Sequence, residues 1–129
     1  MKKHHNYFLI FISLLFVAAF SSCQYENPYV TPINPTKTVS FSKDIQPIFT
    51  GTDNCVACHD GVNENPDLKP GSAYQSIMSM NLVDTTNPVS SIIYWETNPD
   101  NTSAHTWQKY SASEAALVLK WIEQGAKDN

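Results

Sequence analysis

Cys55-Val56-Ala57-Cys58-His59 is the segment whose residue types and spacing can do chemistry. Two thiols three positions apart fall on one turn, where each can add to a vinyl group of a porphyrin. The adjacent imidazole then sits beneath the metal as its proximal ligand. C-x-x-C-H is accordingly the attachment signature of a c-type haem, and Cys55, Cys58 and His59 would hold one covalent haem c. Covalent attachment keeps a cofactor from escaping a small, partly open pocket. Other chemistries are open to the same residues. A C-x-x-C dithiol can be redox-active beside a βαβ pattern, and no such pattern is visible here. Half of a zinc site would need a second cysteine pair or paired histidines, and neither follows. A cofactor-free structural protein with a Cys55–Cys58 disulfide also stays open.

The elements that must position this motif are short helices. Ser42 is placed to cap one running to about Phe49, with Ile45, Ile48 and Phe49 on one face and Pro47 inside its first turns. Ser72-Ala73-Tyr74-Gln75 has the form of a capping box and predicts a helix to about Met80. Pro88 at a favoured first position predicts a third, to about Trp95. The last is the clearest: Ser111-Ala112-Ser113-Glu114 is a capping box, Leu117, Val118, Trp121 and Ile122 form an apolar stripe, and Gly125 stops it. No segment alternates as a strand does. The fold class is therefore all-α, about four helices, with long loops at 51–71 and 96–110. Loops that long in a small domain usually carry function or wrap a ligand.

Composition narrows the setting. The 129 residues allow one domain, and 8 lysines against 12 acids with no arginine exclude a basic nucleic-acid binder. Lys2 and Lys3 precede an apolar run from Tyr7 to Phe20, shorter than the roughly 18 residues a membrane span needs. This fits the apolar region of a signal peptide. Phe20-Ser21-Ser22-Cys23 resembles a bacterial lipoprotein cleavage box, which implies a signal peptide over 1–22 and lipid on Cys23. The alternative is an ordinary signal peptide that leaves Cys23 a stray thiol. Residues 23–38, with Pro28, Pro32 and Pro35, read as a flexible tether, and 39–129 as the domain. From Cys23 onward 6 lysines face 12 acids, a net charge of −6. The expected location is the bacterial cell envelope, lipid-anchored and facing the periplasm or the cell surface, where haem is covalently attached. Four of the six phenylalanines leave with the signal, so the remaining core is lean and a cofactor would help hold it.

Phe41-Ser42-Lys43-Asp44-Ile45-Gln46-Pro47-Ile48-Phe49 before the motif, and Leu119-Lys120-Trp121-Ile122-Glu123-Gln124-Gly125-Ala126 near the end, make residues 39–127 similar to a monohaem class I cytochrome c domain of exported bacterial proteins. The resemblance implies that the first and last helices cross, bringing Ile45, Ile48 and Phe49 onto Leu117, Trp121 and Ile122, with the haem between them and the loops. Asn65-Pro66-Asp67-Leu68 resembles the segment of that family in which a proline carbonyl accepts the proximal histidine's other N–H. It implies that role for Pro66, and packing on the haem for Leu68.

The distal ligand is a separate question. His105, Met80 and Met78 are the candidates that remain once the signal is removed. The family usually carries methionine on a loop shortly before the last helix, and this chain has Ser103-Ala104-His105-Thr106-Trp107 there. His105 is favoured, Met80 is the alternative, and Met78 shares an apolar stripe. Tyr94, Trp95, Trp107 and Tyr110 either line the haem edge or fill the core. The leading function is membrane-anchored electron transfer, not enzymatic catalysis, with redox proteins bearing lysine-rich faces as partners and no role for nucleic acid. The alternative is an open-site haem that senses gas or reacts with peroxide.

Overall fold

The computed structural model describes residues 36–129 except 52, 53, 103, 104 and 106. The expected signal peptide, the expected lipidation site Cys23 and the expected tether as far as residue 35 lie outside the described residues. Among those described, the structure is helical and has no strand.

The first element begins earlier than Ser42. A π-helical turn, Phe41–Ile45, runs directly into α1, Gln46–Thr50. Ser40 is its cap: Ser40 Oγ accepts from the Lys43 amide, and the Ser40 amide donates to Asp44 Oδ2 at 2.8 Å. The reason lies with Pro47, which has no N–H for an α-helical ladder reaching back to Lys43. The chain takes a wider turn first and then enters α1 with proline in its first turn, where the missing donor costs nothing.

α2, Ala73–Ser79, and α3, Ile92–Trp95, differ from expectation in detail. Ser72 makes no side-chain capping bond, so the Ser72/Gln75 box is not formed. The third segment is broken: Pro88–Ser90 is a 3-10 turn, Ser91 is extended, and α3 starts after it. Buried Ser91 holds the break, its hydroxyl accepting from the Asp84 amide at 2.9 Å. α4, Ala112–Glu123, follows its sequence closely. The Ser111/Glu114 capping box is complete, and Gly125 at φ 92° ends the helix.

The core forms where the first turn meets the last helix. Phe41 packs against Trp121 with ring centres 5.3 Å apart and edge-on against Tyr74 at 5.3 Å. Ile45, Ile48, Phe49, Val118 and Ile122 are buried around them, while Leu117 is half-buried. Three polar side chains tie the ends of this packing. Trp121 Nε1 donates to the Lys127 carbonyl, Tyr74 Oη to the Ala126 carbonyl, and Gln124 Oε1 accepts from the Val39 amide.

Asp44 yields a test. The Ser40 amide and the Lys37 ammonium hold its carboxyl below the usual carboxylate range. A lowered folded pKa adds stability above the unfolded value near 4, and that stability is lost as pH falls through the folded pKa. Asp44→Ala is expected to lower stability by about 1 kcal/mol at neutral pH, the size of a lost helix cap. Thermal unfolding at several pH values should show the gap from wild type closing in acid.

Candidate functional site

The C-x-x-C-H motif sits on a single 3-10 turn, Cys55–Ala57, entered through Asn54. Asn54 has φ 43°, a left-handed backbone that asparagine tolerates better than most side chains. The amides of Cys58 and His59 both donate to the Cys55 carbonyl, which draws Cys55, Cys58 and His59 onto one turn. Cys55 packs against the core while Cys58 is exposed.

The chain then loops and returns to the motif. Asp60 accepts from the amides of Val62 and Asn63, which lower its pKa. Gly61 has φ 76°, and a Cβ there would meet Asp67 Cβ at 2.9 Å, so this tight reversal requires glycine. The loop closes with the Leu68 amide on the His59 carbonyl at 2.9 Å. Gln46 of α1 donates to the Leu68 carbonyl, and Ser76 of α2 accepts from the Asp67 amide. Two helices therefore fix the loop that flanks His59.

Within it, His59 Nδ1 hydrogen-bonds the Asn65 carbonyl at 3.1 Å. The carbonyl is thus one residue earlier than the Pro66 expected from the resemblance. Pro66 is instead buried with its ring on the cleft wall. The ring has no N–H and serves as apolar surface, while the carbonyl preceding it is left free to accept. Leu68 is buried and also lines the cleft, as expected.

The cleft has a volume of about 210 Å3 and is partly open to solvent. That is less than the roughly 300–1,000 Å3 of sites that enclose a whole cofactor-sized molecule, so a ligand of that size would extend beyond it into solvent. Its walls come from α1 (Phe49), the motif (Cys55, His59), the segment after α2 (Met80, Leu82), α3 (Ile92, Ile93) and the loop beyond it. His105 lies in that loop with φ 44°, uncommon for a side chain of this size. Its Nδ1 hydrogen-bonds the Gln108 carbonyl at 2.6 Å.

The two histidines meet across the cleft. Their ring centres are 5.8 Å apart and their planes differ by 22°. Each Nδ1 is turned to a backbone carbonyl, which fixes it as the donor and leaves each Nε2 with its lone pair for a metal. Two imidazoles binding one ion from opposite sides, each through a bond of about 2 Å, would place their ring centres roughly 6 Å apart. Among the described residues no three His, Cys, Asp or Glu side chains converge on a metal position. Two facing imidazoles in an apolar cleft suit an ion that receives its remaining ligands from a flat organic macrocycle. Cys55 lines the same cleft, whereas the exposed Cys58 is not among its lining residues.

The other candidates separate by position. Met80 lines the cleft from the end of α2 and is 43% exposed, whereas Met78 packs against the core. Of the four aromatics, Tyr110 is buried in the cleft wall and Tyr94 packs on the core. Trp95 and Trp107 face solvent, and neither lines the cleft. Asn65 and Gln108 act through main-chain carbonyls, which leave no mark in residue type. Ile92, Glu96 and Thr97 line the cleft only because the break at Ser91 turns α3 toward it.

The chain matches no family model, no curated protein and no solved structure.

Tyr110 offers a probe of the cleft wall. Its hydroxyl donates to the Ile93 carbonyl at 3.0 Å, and burial pushes its pKa well above the ordinary tyrosine value. Above pH about 10 the unfolded chain would release this proton while the folded chain keeps it, so stability falls as pH rises. Spectrophotometric titration should show one tyrosine ionising only as the fold is lost, and Tyr110→Phe should abolish that step. The substitution should cost about 1 kcal/mol, the net value of one buried hydrogen bond.

Proposed function

We propose that this chain is an electron-transfer protein carrying one covalent c-type haem, exported and lipid-anchored through Cys23, with Cys55 and Cys58 as the attachment thiols. His59 would be the proximal ligand and His105 the distal one. The observation that carries this reading is the facing pair of imidazoles, each oriented by a carbonyl through Nδ1, beside Cys55. A bound haem would supply a one-electron ferric/ferrous couple. The chain's own residues hold and orient the two imidazoles, and Phe49, Leu68, Leu82 and Ile93 keep water from much of the cleft. Histidine on both faces leaves no open position, which favours electron transfer over the gas-binding or peroxide reading. It also implies a lower potential than methionine ligation.

The charge pattern supports a class of partner. Residues 70–108 carry Asp84, Glu96 and Asp100 and no lysine or arginine, and Lys109, whose ammonium lies at the end of α3, offsets one of these three charges. Asp84 hydrogen-bonds Ser91 at the start of α3 and Glu96 caps its end, flanking the exposed Ile92 and Trp95. A redox partner with a lysine-rich face would be steered to this side of the cleft. Among the described residues no helix is long and apolar enough to cross a membrane, so on this reading attachment rests on the lipid.

The experiment is expression of the full chain with haem-attachment machinery. Haem should stay on the denatured polypeptide in wild type and be lost in Cys55→Ala/Cys58→Ala. The native protein should show a six-coordinate low-spin spectrum in both oxidation states. His105→Ala should replace the bis-histidine spectrum by one with the far-red band of methionine ligation as Met80 reaches the vacated position, and Met80→Ala alone should leave the wild-type spectrum unchanged. Absence of covalent haem from the denatured wild type would defeat the reading.

A further inference from the structure

The loop that carries His105 runs from the end of α3 to Ser111, with no helix or strand among its described residues. The left-handed backbone at His105 needs a surrounding structure to hold it. Lys109 closes that loop. Its Nζ donates to the Glu96 carbonyl at 3.1 Å, at the cap of α3, and also to the Asn101 carbonyl. An ammonium has three donors and a flexible stem, so it can bridge carbonyls that no backbone group reaches. The bridge joins the limb 96–101 to the limb 108–110.

The neighbours of Lys109 on both sides belong to the same clasp. Before it, the Gln108 carbonyl is the partner of His105 Nδ1. After it, the Tyr110 amide donates to the Thr97 carbonyl at 2.9 Å, and the Tyr110 hydroxyl to the Ile93 carbonyl. Asn101 Nδ2 donates to the Trp95 carbonyl at 2.9 Å, so the outer limb is itself tied to α3. The placement of the His105 ring over the cleft therefore depends on the 108–110 limb, which the Lys109 ammonium and Tyr110 together tie to the outer limb and α3. Met80 lines the same cleft from a segment the clasp does not touch.

We infer that Lys109 is the positioning residue of the distal ligand: its bonds to the Glu96 and Asn101 carbonyls keep His105 at the sixth position and so keep Met80 out of it. The inference rests on the haem reading above. Removing the ammonium's donors leaves Tyr110 tied to Thr97 and Ile93 but loosens the limb ahead of it, where the Gln108 carbonyl holds His105. His105 then loses its held position, and a thioether already at the cleft wall takes its place.

The test uses the full haem-loaded chain with Lys109→Met, which keeps most of the stem and removes the donors, and Lys109→Arg, which keeps donors. Lys109→Met is expected to gain the far-red charge-transfer band of methionine ligation. Its midpoint potential should rise, by about 59 mV for each tenfold loss of ligand preference for the ferric state. Adding Met80→Ala to it should remove that band and give a high-spin spectrum, and Lys109→Arg should keep the wild-type spectrum and potential. A Lys109→Met protein with covalent haem, unchanged spectrum and unchanged potential would overturn the inference and leave the haem reading intact. Circular dichroism covers the remaining case. Loss of helix in Lys109→Met but not in His105→Ala would make Lys109 a general prop of the fold, and would also overturn it. A wild-type chain without covalent haem would overturn both readings.

Discussion

Trp121 against Phe41 is the contact on which the rest of the structure depends. Few large apolar side chains are available here, and two of the largest pack against each other, their rings tilted by 46°, at the crossing of the first turn and the last helix. Tyr74 closes the cluster edge-on, and its hydroxyl reaches the Ala126 carbonyl just beyond α4. Aromatic rings bury a large area with few conformers to lose, an economical choice for a domain with little aliphatic bulk. The ring nitrogen and the hydroxyl each find a carbonyl, so the cluster leaves no buried polar atom without a partner among the described residues.

That crossing leaves a cleft on its far side. α1 ends at Thr50, so Phe49 contributes to both the crossing and the cleft wall. The motif turn follows within a few residues, and its return loop is fastened by Gln46 of α1 and Ser76 of α2. The side of the cleft that carries His59 is therefore built on elements that the core already holds. The side that carries His105 is built differently. It hangs from α3, a single turn of helix, and from main-chain bonds closed by Lys109 and Tyr110. Hydrogen bonds fasten both walls, and Ile93 and Tyr110 also pack the second into the core.

The legibility of these parts in the sequence follows their physical basis. α4 is legible because its capping box, apolar stripe and terminal glycine are local signals that all agree. The entry to α1 is only partly so, because Ser40 and Ser42 are both plausible caps. The choice between them depends on how the chain accommodates Pro47. The Ser72 box is a pattern without its bond, since a serine and a glutamine at that spacing permit a reciprocal cap without requiring it. The break at Ser91 is invisible in advance, because the hydroxyl's partner is Asp84, in a loop whose approach no local rule describes.

By itself the sequence determined the helical class, the last helix with its caps, and the chemistry available at Cys55, Cys58 and His59. These follow from residue type and spacing along one turn. Tertiary structure decided what stands opposite His59. Separations of 46 residues are not bridged by any periodicity, and a histidine in a long loop is equally compatible with solvent. It took the crossing of the two end helices, the turn of α3 at Ser91 and the ammonium of Lys109 to bring His105 to 5.8 Å from His59. The carbonyls that orient both rings come from Asn65 and Gln108. Only the path of the folded backbone chose them, because a main-chain oxygen is the same in every residue.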